Sequence, residues 1–399
     1  MKKYLLSQEG NFYKANLHCH TTLSDGAMTP EQVKARYMEE GYSVIAFTDH
    51  DIFLTHPELC SEDFLALNGF EVEITEEGKP WPEAKTCHIC FVALDENICQ
   101  HPLWHRSKYL FGNSTIHRDE VRFDESLPDY ERSYTPECAS DMMRIGREKG
   151  FFVTYNHPRW SMEEYNDYIR YNNMDAMEIY NHGCYVEGYW DYNGVVYDEL
   201  LRSGKRIFCI ATDDNHTYKH TCGGYVMIKA KELSYSAIAK ALKAGDFYAS
   251  TGLEISELYV EDNEVHVRFP AAAKAILSTG IRRQAMQTAP ADSTEPWQEA
   301  VFPLNGNEKY FRITLLDDQG HTADTNAYFL DTLYGINNQN KPREQAPALQ
   351  HVRNDSVGRG FAPAKTVYCL NMRFILRQLW LLPARGHRPS LCTLPQERS

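Results

Sequence analysis

Apolar residues fall in short bursts through the first 250 or so positions, separated by polar stretches with the grammar of helices. The bursts are "YSVIAF" (42–47), "HICFVAL" (88–94), "FFVTY" (151–155), "DAMEIY" (175–180), "RIFCIA" (206–211) and "GYVMIKA" (224–230). Runs this short predict buried strands. Between them, "TPEQVKARYMEEG" predicts a helix with Thr29 at its N-cap, Pro30 in the first helical position, Gln32 completing a capping box and Gly41 ending it. "TPECASDMMRIGREKG" repeats this grammar from Thr135 to Gly150, and "SMEE" (161–164) offers a further capping box. Strands alternating with helices predict an α/β unit over residues 1–252, built on a parallel sheet that is either open or closed into a barrel.

The pattern changes at about residue 253. "ISELYVEDNEVHVRF", "KYFRITLLDDQG" and "TNAYFL" alternate in period two around Asp-Asn and Asp-Gln-Gly turns, which predicts a small antiparallel β domain over 253–335. Residues 336–399 lack sustained periodicity and are punctuated by proline. They carry ten Lys and Arg against three acids, a surplus of +7 that leaves −21 on residues 1–335. This composition predicts a basic, poorly ordered tail. An interaction segment and a foreign or frame-shifted end fit that composition equally.

Charge and composition narrow the classes of function. The net charge of −14 argues against wrapping an extended nucleic acid over the general surface, while leaving room for a small anion wherever metal ions reverse the local field. "MKKYLLSQEG" is too short in its apolar part for a signal peptide, and no stretch approaches the ~20 apolar residues of a membrane span. Eleven cysteines are scattered along the chain. Cys87 and Cys90 form a Cys-x-x-Cys, but "TCHICFVAL" reads as a strand, which sends positions three apart to opposite faces. Reduced thiols and a cytoplasmic location are the simplest account.

The candidate chemistry begins at "ANLHCHTTLSDG" (15–26). If Ala15 to His20 is a strand, His18 and His20 project from one face. Two neighbouring neutral imidazoles make a poor core element, since each has two ring nitrogens to satisfy, and a good start to a metal site. Other metal-competent residues recur where strands end: Asp49 and His50 in "AFTDHD", Glu71 and Glu73 in "LNGFEVEI", His88, His157 in "VTYNHPRW", and Asp213, Asp214 and His216 in "CIATDDNH". Ligands of α/β sheets gather at the carboxyl ends of strands, so six of the sixteen histidines meeting carboxylates there predicts a polynuclear metal centre. Imidazoles with a bridging carboxylate suit Zn²⁺, Mn²⁺ or Fe²⁺. Two or three such ions would acidify a shared water into the attacking hydroxide, and an excess of positive charge would favour a phosphate dianion over a neutral ester.

The order His-x-His, Ser-Asp-Gly, Thr-Asp-His, Gly-x-Glu, His, Asn-His-Pro, Asp-x-His resembles the polymerase and histidinol phosphatase (PHP) superfamily over about residues 14–230. The "HTTLSDG" form with its trailing β domain is most similar to the branch of carbaryl-hydrolase-type metallohydrolases. The resemblance implies a distorted seven-stranded β/α barrel with a site for two or three metals. It implies as ligands His18, His20, Asp25, His50, Glu71, His88, His157, Asp214 and His216. Glu73 and Asp213 are rivals for Glu71 and Asp214, but the Gly-x-Glu and Asp-x-His spacings favour the latter pair.

Further candidates lie beside this set. Arg159 is two positions after His157 and is a candidate clamp for a substrate phosphate. His182 in "EIYNH" ends a strand and is a candidate substrate contact or general acid. The polar insertion "DENICQHPLWHRSKYLFGNSTIHRDE" is a candidate lid or substrate wall, with a solvated loop as the default. The expected activity is therefore a metal-dependent hydrolase, foremost a phosphoesterase acting on a small phosphorylated metabolite or nucleotide. A carbamate, ester or amide hydrolase on the same metals, and a non-catalytic metal-stabilised module, are the alternatives.

Overall fold

The structure is a computed structural model that describes residues 2–290 and 296–335. It divides into a unit Met1–Asn340 and a unit Lys341–Ser399. The second holds most of the basic segment and lies outside the described residues, so the expectation of a poorly ordered tail falls there as well.

The first unit has mixed α/β architecture. Its first ten strands are β1 (Lys3–Tyr4), β2 (Asn11–Asn16), β3 (Tyr42–Phe47), β4 (Leu65–Thr75), β5 (Thr86–Ala93), β6 (Phe151–Tyr155), β7 (Ala176–Asn181), β8 (Phe208–Thr212), β9 (Tyr225–Ala230) and β10 (Phe247–Ser250). The apolar bursts read from the sequence thus fall on β3 and β5 to β9, with ends shifted by one or two residues. Strands β11 (Glu257–Glu261), β12 (Glu264–Arg268), β13 (Lys274–Thr279), β14 (Ala285–Thr288), β15 (Glu299–Pro303), β16 (Tyr310–Leu316), β17 (Thr322–Thr325) and β18 (Tyr328–Phe329) follow.

Most of the strands join one large sheet. Its 14 strands run β14-β13-β16-β17-β10-β9-β2-β3-β4-β5-β6-β7-β8, with β18 beside β16. The pairing among the described residues forms a 14-stranded sheet and does not by itself show the distorted seven-stranded barrel expected from the sequence. The seven consecutive strands β2 to β8 nevertheless bring their ends near one another. Asp214 N, just after β8, donates to His18 O, just after β2, at 3.0 Å, and Cys19 and Asn215 form a parallel bridge. A second sheet, β1-β11-β12-β15, ties the N-terminal strand to the later β-rich region.

The sheet departs from the all-parallel expectation at two places: β9 runs antiparallel to both β2 and β10, and β5 is reversed between its neighbours. Pairs β2–β3, β3–β4, β6–β7 and β7–β8 are parallel, whereas β5 runs antiparallel to both β4 and β6. The cause at β5 is the link between β4 and β5. "EEGKPWPEAK" (76–85) carries Gly78, Pro80 and Pro82 and only a three-residue helical turn, so it closes a hairpin where a parallel crossover needs a helix. The antiparallel turn matters for the site, because it sets His88, near the start of β5, opposite Glu73 and within 3.2 Å of Glu71 on β4.

Helix Pro30–Glu39 forms with the expected caps: the Thr29 side chain accepts from Gln32 N and the Gln32 side chain accepts from Thr29 N at 2.9 Å. The Thr135 side chain caps helix Pro136–Glu148 by accepting from Cys138 N, without the reciprocal bond. The expected box at 161–164 does not form. Ser161 Oγ lies 3.2 Å from His157 Nδ1, Glu163 turns into a cluster of tyrosines, and the short helix Tyr165–Tyr168 starts later. Tertiary contacts outcompete the local cap there. Among the described residues no helix is long and apolar enough to cross a membrane.

Candidate metal centre

The histidine pair does not stand on the strand itself. β2 ends at Asn16, and His18 and His20 lie on the extended segment beyond it, fixed on one side by Asp214 N to His18 O and on the other by Thr48 N to Cys19 O at 2.8 Å. The alternation persists without the strand, and the two Nε2 atoms lie 3.1 Å apart. Both residues are fully buried.

The nine residues expected as ligands converge on this point. Glu71 from β4 is the hub. Its carboxylate lies 3.2 Å from His18 Nε2, His20 Nε2 and His88 Nδ1, and 3.4 Å from His50 Nδ1 and His157 Nε2. Asp214 faces it, 3.1 Å from His20 Nε2 and 3.3 Å from His18 Nε2. Asp25 closes one flank, with His216 Nε2 at 3.3 Å and His50 Nε2 at 3.8 Å. Donor atoms within 4.8 Å of one another form four groups: His20, Asp25, His50 and His216; His18, His20, Glu71 and Asp214; His50, Glu71 and His88; and His18, His157 and Glu178.

Several imidazoles are aimed by the hydrogen bond on their far nitrogen. His18 Nδ1 lies 2.6 Å from Glu178 Oε1, His157 Nδ1 lies 3.2 Å from Ser161 Oγ, and His216 Nδ1 lies 3.1 Å from Asp214 O. Each contact leaves Nε2 directed at the carboxylates, which is how proteins fix the tautomer and orientation of a metal-binding ring. The rival acids are turned elsewhere. Asp213 accepts the backbone N–H groups of Cys222, Gly223 and Gly224 at 2.6–2.9 Å, while Glu73 bonds Thr75 Oγ1 and lies 3.8 Å from His88 Nε2.

The loop that carries Asp25 is organised by Asp49. Its carboxylate accepts Thr21 N, Thr21 Oγ1 and Ser24 Oγ at 2.6–2.8 Å, which bends the chain back over His20. Gly26 is required by that bend, since a Cβ there would lie 2.6 Å from the His20 carbonyl.

Protons alone do not satisfy this cluster. Burial opposes ionisation of Glu71, but His18, His88 and His50 beside it outweigh burial and hold it well below the usual carboxylate range. Asp214 is held down in the same way by His18 and His20. His20 is pushed up to about 10, against its burial, by Asp214 and Glu71, while burial and the charge on His20 push the neighbouring His50 down to about 3. Five buried polar atoms of the candidate ligands have no hydrogen-bond partner: His20 Nδ1, His50 Nδ1, His88 Nε2, Glu71 Oε2 and Asp214 Oδ1. Leaving such atoms unmade costs ~1–3 kcal/mol each, and inward-facing imidazole and carboxylate donors are the set that divalent cations satisfy. The residues fit a polynuclear metal centre.

Sequence reasoning missed one charged member. Glu178 is fully buried and fully partnered, by His18 Nδ1, Thr212 Oγ1 at 2.6 Å, and His157 N and Asn181 Nδ2 at 2.9 Å. Its signal was a single carboxylate inside the otherwise uncharged strand "AMEIYN".

The two expected substrate contacts do not join the centre. The cluster opens into a cavity of about 640 Å³ lined by Asp25, His50, His88, His157, Asp214 and His216 together with Trp81, Phe111, Trp160 and others. Arg159 is exposed and is not among the lining residues. The reason is local: His157 takes φ 24°, so the chain turns and position 159 no longer shares its face. His182 also lies off the cavity wall, with Nδ1 3.0 Å from Tyr180 Oη and its ring packed on Gly223; burial pushes it down to about 4. His220 also lines the cavity, 3.4 Å from Glu187. Phe111 reaches the cavity from the polar insertion, which is pinned to the Asp25 loop by Asn113 N donating to Ser24 O at 3.0 Å.

No protein-family model matches the chain. A 70-residue stretch, 16% of the chain, is 31% identical to a 5'-3' exoribonuclease of Haemophilus influenzae and spans 26% of that protein. A Bacteroides vulgatus two-domain protein, described as containing a predicted PHP-like metal-dependent phosphoesterase, is similar at 14% identity. That similarity covers 80% of this chain and 98% of the other, with a TM-score of 0.41. A Bifidobacterium adolescentis protein described as a metal-dependent phosphoesterase is 14% identical, with 54% and 90% covered and a TM-score of 0.33. A Chromobacterium violaceum amidohydrolase is 15% identical, with 53% and 90% covered and a TM-score of 0.32.

Proposed function

We propose that the protein is a metal-dependent hydrolase of the PHP superfamily, with β2 to β8 as its distorted seven-stranded barrel, residues 253–335 as a β-rich companion domain, and phosphoesters of small metabolites or nucleotides as its substrates. The observation that carries the reading is the convergence of six imidazoles and three carboxylates around five partnerless buried atoms. His18, His20, Glu71 and Asp214 would hold the inner ions, with His88 and His157 completing them; Asp25, His50 and His216 would hold another at the cavity mouth. Divalent ions bound there supply Lewis-acid charge for a phosphoryl oxygen and acidify water.

The chain's own residues do the rest. Glu178, Ser161 and the Asp214 carbonyl hold the rings in register, and the closed inner wall excludes bulk water from the buried face of the centre. Three divalent ions would bring about +6 against about −4 from Asp25, Glu71, Glu178 and Asp214, a surplus that favours an anionic phosphate. Two ions would leave the centre near neutral. In that case a neutral carbamate, ester or amide becomes the substrate, and one observation favours that reading: no Lys or Arg is among the residues lining the cavity.

The test is elemental analysis of the purified full chain, followed by assays of the metal-loaded and chelated protein on matched phosphoester and aryl ester panels. Metal-dependent release of phosphate is expected. Bound metal that raises the melting temperature while neither panel turns over would leave only a metal-stabilised module.

A further inference from the structure

Beyond the ligand set, the cavity has a second chemical character. Trp81, from the turn between β4 and β5, is 67% exposed, and Phe111, from the insertion, is 38% exposed, yet both line the cavity. Trp160, on the loop after His157, joins Trp81 edge to face at 6.3 Å, and its ring lies 5.3 Å from His88 and 5.2 Å from His157. Behind it, the Tyr189 ring lies 6.4 Å from Trp160. Phe111 lies 5.0 Å from His50, on the Asp25 side of the centre. Aromatic rings from three separate segments therefore flank the cluster and line the cavity.

The charge of the wall points the same way. Apart from the candidate ligands, the ionisable residues of the wall are the acids Glu73 and Glu187, the histidine His220 and the thiol of Cys184, with no Lys or Arg. A second phosphate or an extended sugar–phosphate chain would find no cation beyond the metals and would meet these two carboxylates. Large exposed aromatic rings beside a polar centre are the usual means of holding a flat group by stacking.

We infer that the group carried by the scissile phosphate is a flat aromatic or heteroaromatic ring with no second anionic charge, stacked against Trp81, Trp160 and Phe111. The inference rests on the phosphoesterase reading of the centre and names its substrate class. Two sources share this chemistry, a simple aryl phosphate and a nucleoside monophosphate.

The experiment compares kcat/KM of the metal-loaded full chain on phenyl phosphate, adenosine 5'-monophosphate, glycerol 3-phosphate and adenosine 3',5'-bisphosphate, in wild type and in Trp81→Ala and Phe111→Ala. It is paired with tryptophan fluorescence titration by non-hydrolysable phenylphosphonate. At least one aromatic monophosphate should exceed glycerol 3-phosphate by about tenfold, a factor equal to ~1.4 kcal/mol. The bisphosphate should be the poorer adenosine ester, and the better of the two aromatic monophosphates identifies the source. Either variant should pull the ratio of aromatic to glycerol ester towards one, and Trp81→Ala should weaken phenylphosphonate binding about tenfold. Equal cleavage of the aromatic and glycerol esters, with the ratio unmoved in both variants, would overturn the inference and leave the phosphoesterase reading intact. If no phosphoester is cleaved, that reading fails, and the phenylphosphonate titration then decides the aromatic wall alone: weaker binding in Phe111→Ala, which keeps both tryptophan reporters, supports it, and unchanged binding overturns it.

Discussion

Glu163 offers a quantitative test of the environment just outside the centre. It is 8% exposed, and its carboxylate accepts hydroxyl hydrogen bonds from Tyr134 at 2.9 Å, Tyr155 at 2.6 Å and Tyr171. Burial pushes its pKa from 4.5 up to about 7, even though the three tyrosines favour the charged form. The folded state therefore binds this proton more tightly than the unfolded chain. Below pH ~4.5 both states are protonated and the group is neutral to stability. As pH rises from there to about 7, the unfolded chain ionises first and stability falls, by at most about 1.4 kcal/mol per pH unit. The gap between the two pKa values makes the whole loss ~3 kcal/mol, complete once pH passes the folded value. Glu163→Gln removes the titration while keeping an acceptor for the tyrosines. Urea unfolding of both proteins, stripped of metal and measured from pH 4.5 to 7.5, should show the variant gaining on wild type by ~3 kcal/mol across that window. Using the difference cancels the titration of the histidine cluster, which both proteins share. A difference that stays flat within ~0.5 kcal/mol would show that Glu163 is already ionised in the folded protein at acid pH, and that the tyrosines outweigh its burial.

Two further perturbations address the centre. Asp25→Ala should lower metal content by about one ion per chain while the inner ions remain, whereas His20→Ala, which contacts both Glu71 and Asp214, should lose more; elemental analysis of both variants decides, and full metal content in Asp25→Ala would reduce Asp25 to a loop residue. Glu178→Gln keeps a hydrogen-bonding partner for His18 but removes its charge, and should weaken metal binding about 10- to 100-fold in competition with a chelator. Unchanged affinity there would show that the Glu178 charge does not tune His18.

Much of the fold was legible because the signals were local. Thr29 and Thr135 capped the helices they were expected to cap, and apolar bursts marked β3 and β5 to β9. The direction of β5 was less accessible, since it depends on what a ten-residue link can span rather than on the strand's own residues. The capping box at 161–164 failed for a related reason. Its serine turns to His157, and Glu164, which would have completed the box, instead precedes the short helix Tyr165–Tyr168 and meets Lys85 at 3.2 Å. Closure of the sheet was also a long-range property. Pairing runs on from β2 into β9 and β10 and out to β17, so the large sheet absorbs strands from the later region that an isolated-barrel expectation kept apart.

The centre was more legible than its surroundings because metal ligation constrains residue type, and the surroundings depend on direction. Imidazoles and carboxylates recur at strand ends whatever the backbone does between them, so most of the candidates could be marked without geometry, while Asp25 and the choice of Glu71 and Asp214 over their rivals came from the family resemblance. Arg159 could not be placed without geometry. Its spacing of two from His157 implies a shared face only if the strand continues, and the chain turns at His157 instead. Charge type misled in the other direction for Glu178: a lone acid in a buried strand reads as an exception to packing, when its four hydrogen bonds make it the anchor for His18 and His157. The same logic explains the aromatic wall. Trp81, Phe111 and Trp160 belong to three segments with no common period, and each alone is an ordinary exposed or half-buried ring. Only the hairpin before β5, the turn at His157 and the pinning of the insertion onto the Asp25 loop bring them to one cavity. The features that decide which substrate enters are thus set by the three most irregular connections of the unit, while the features that decide what chemistry awaits it are carried by residue type near the strand ends.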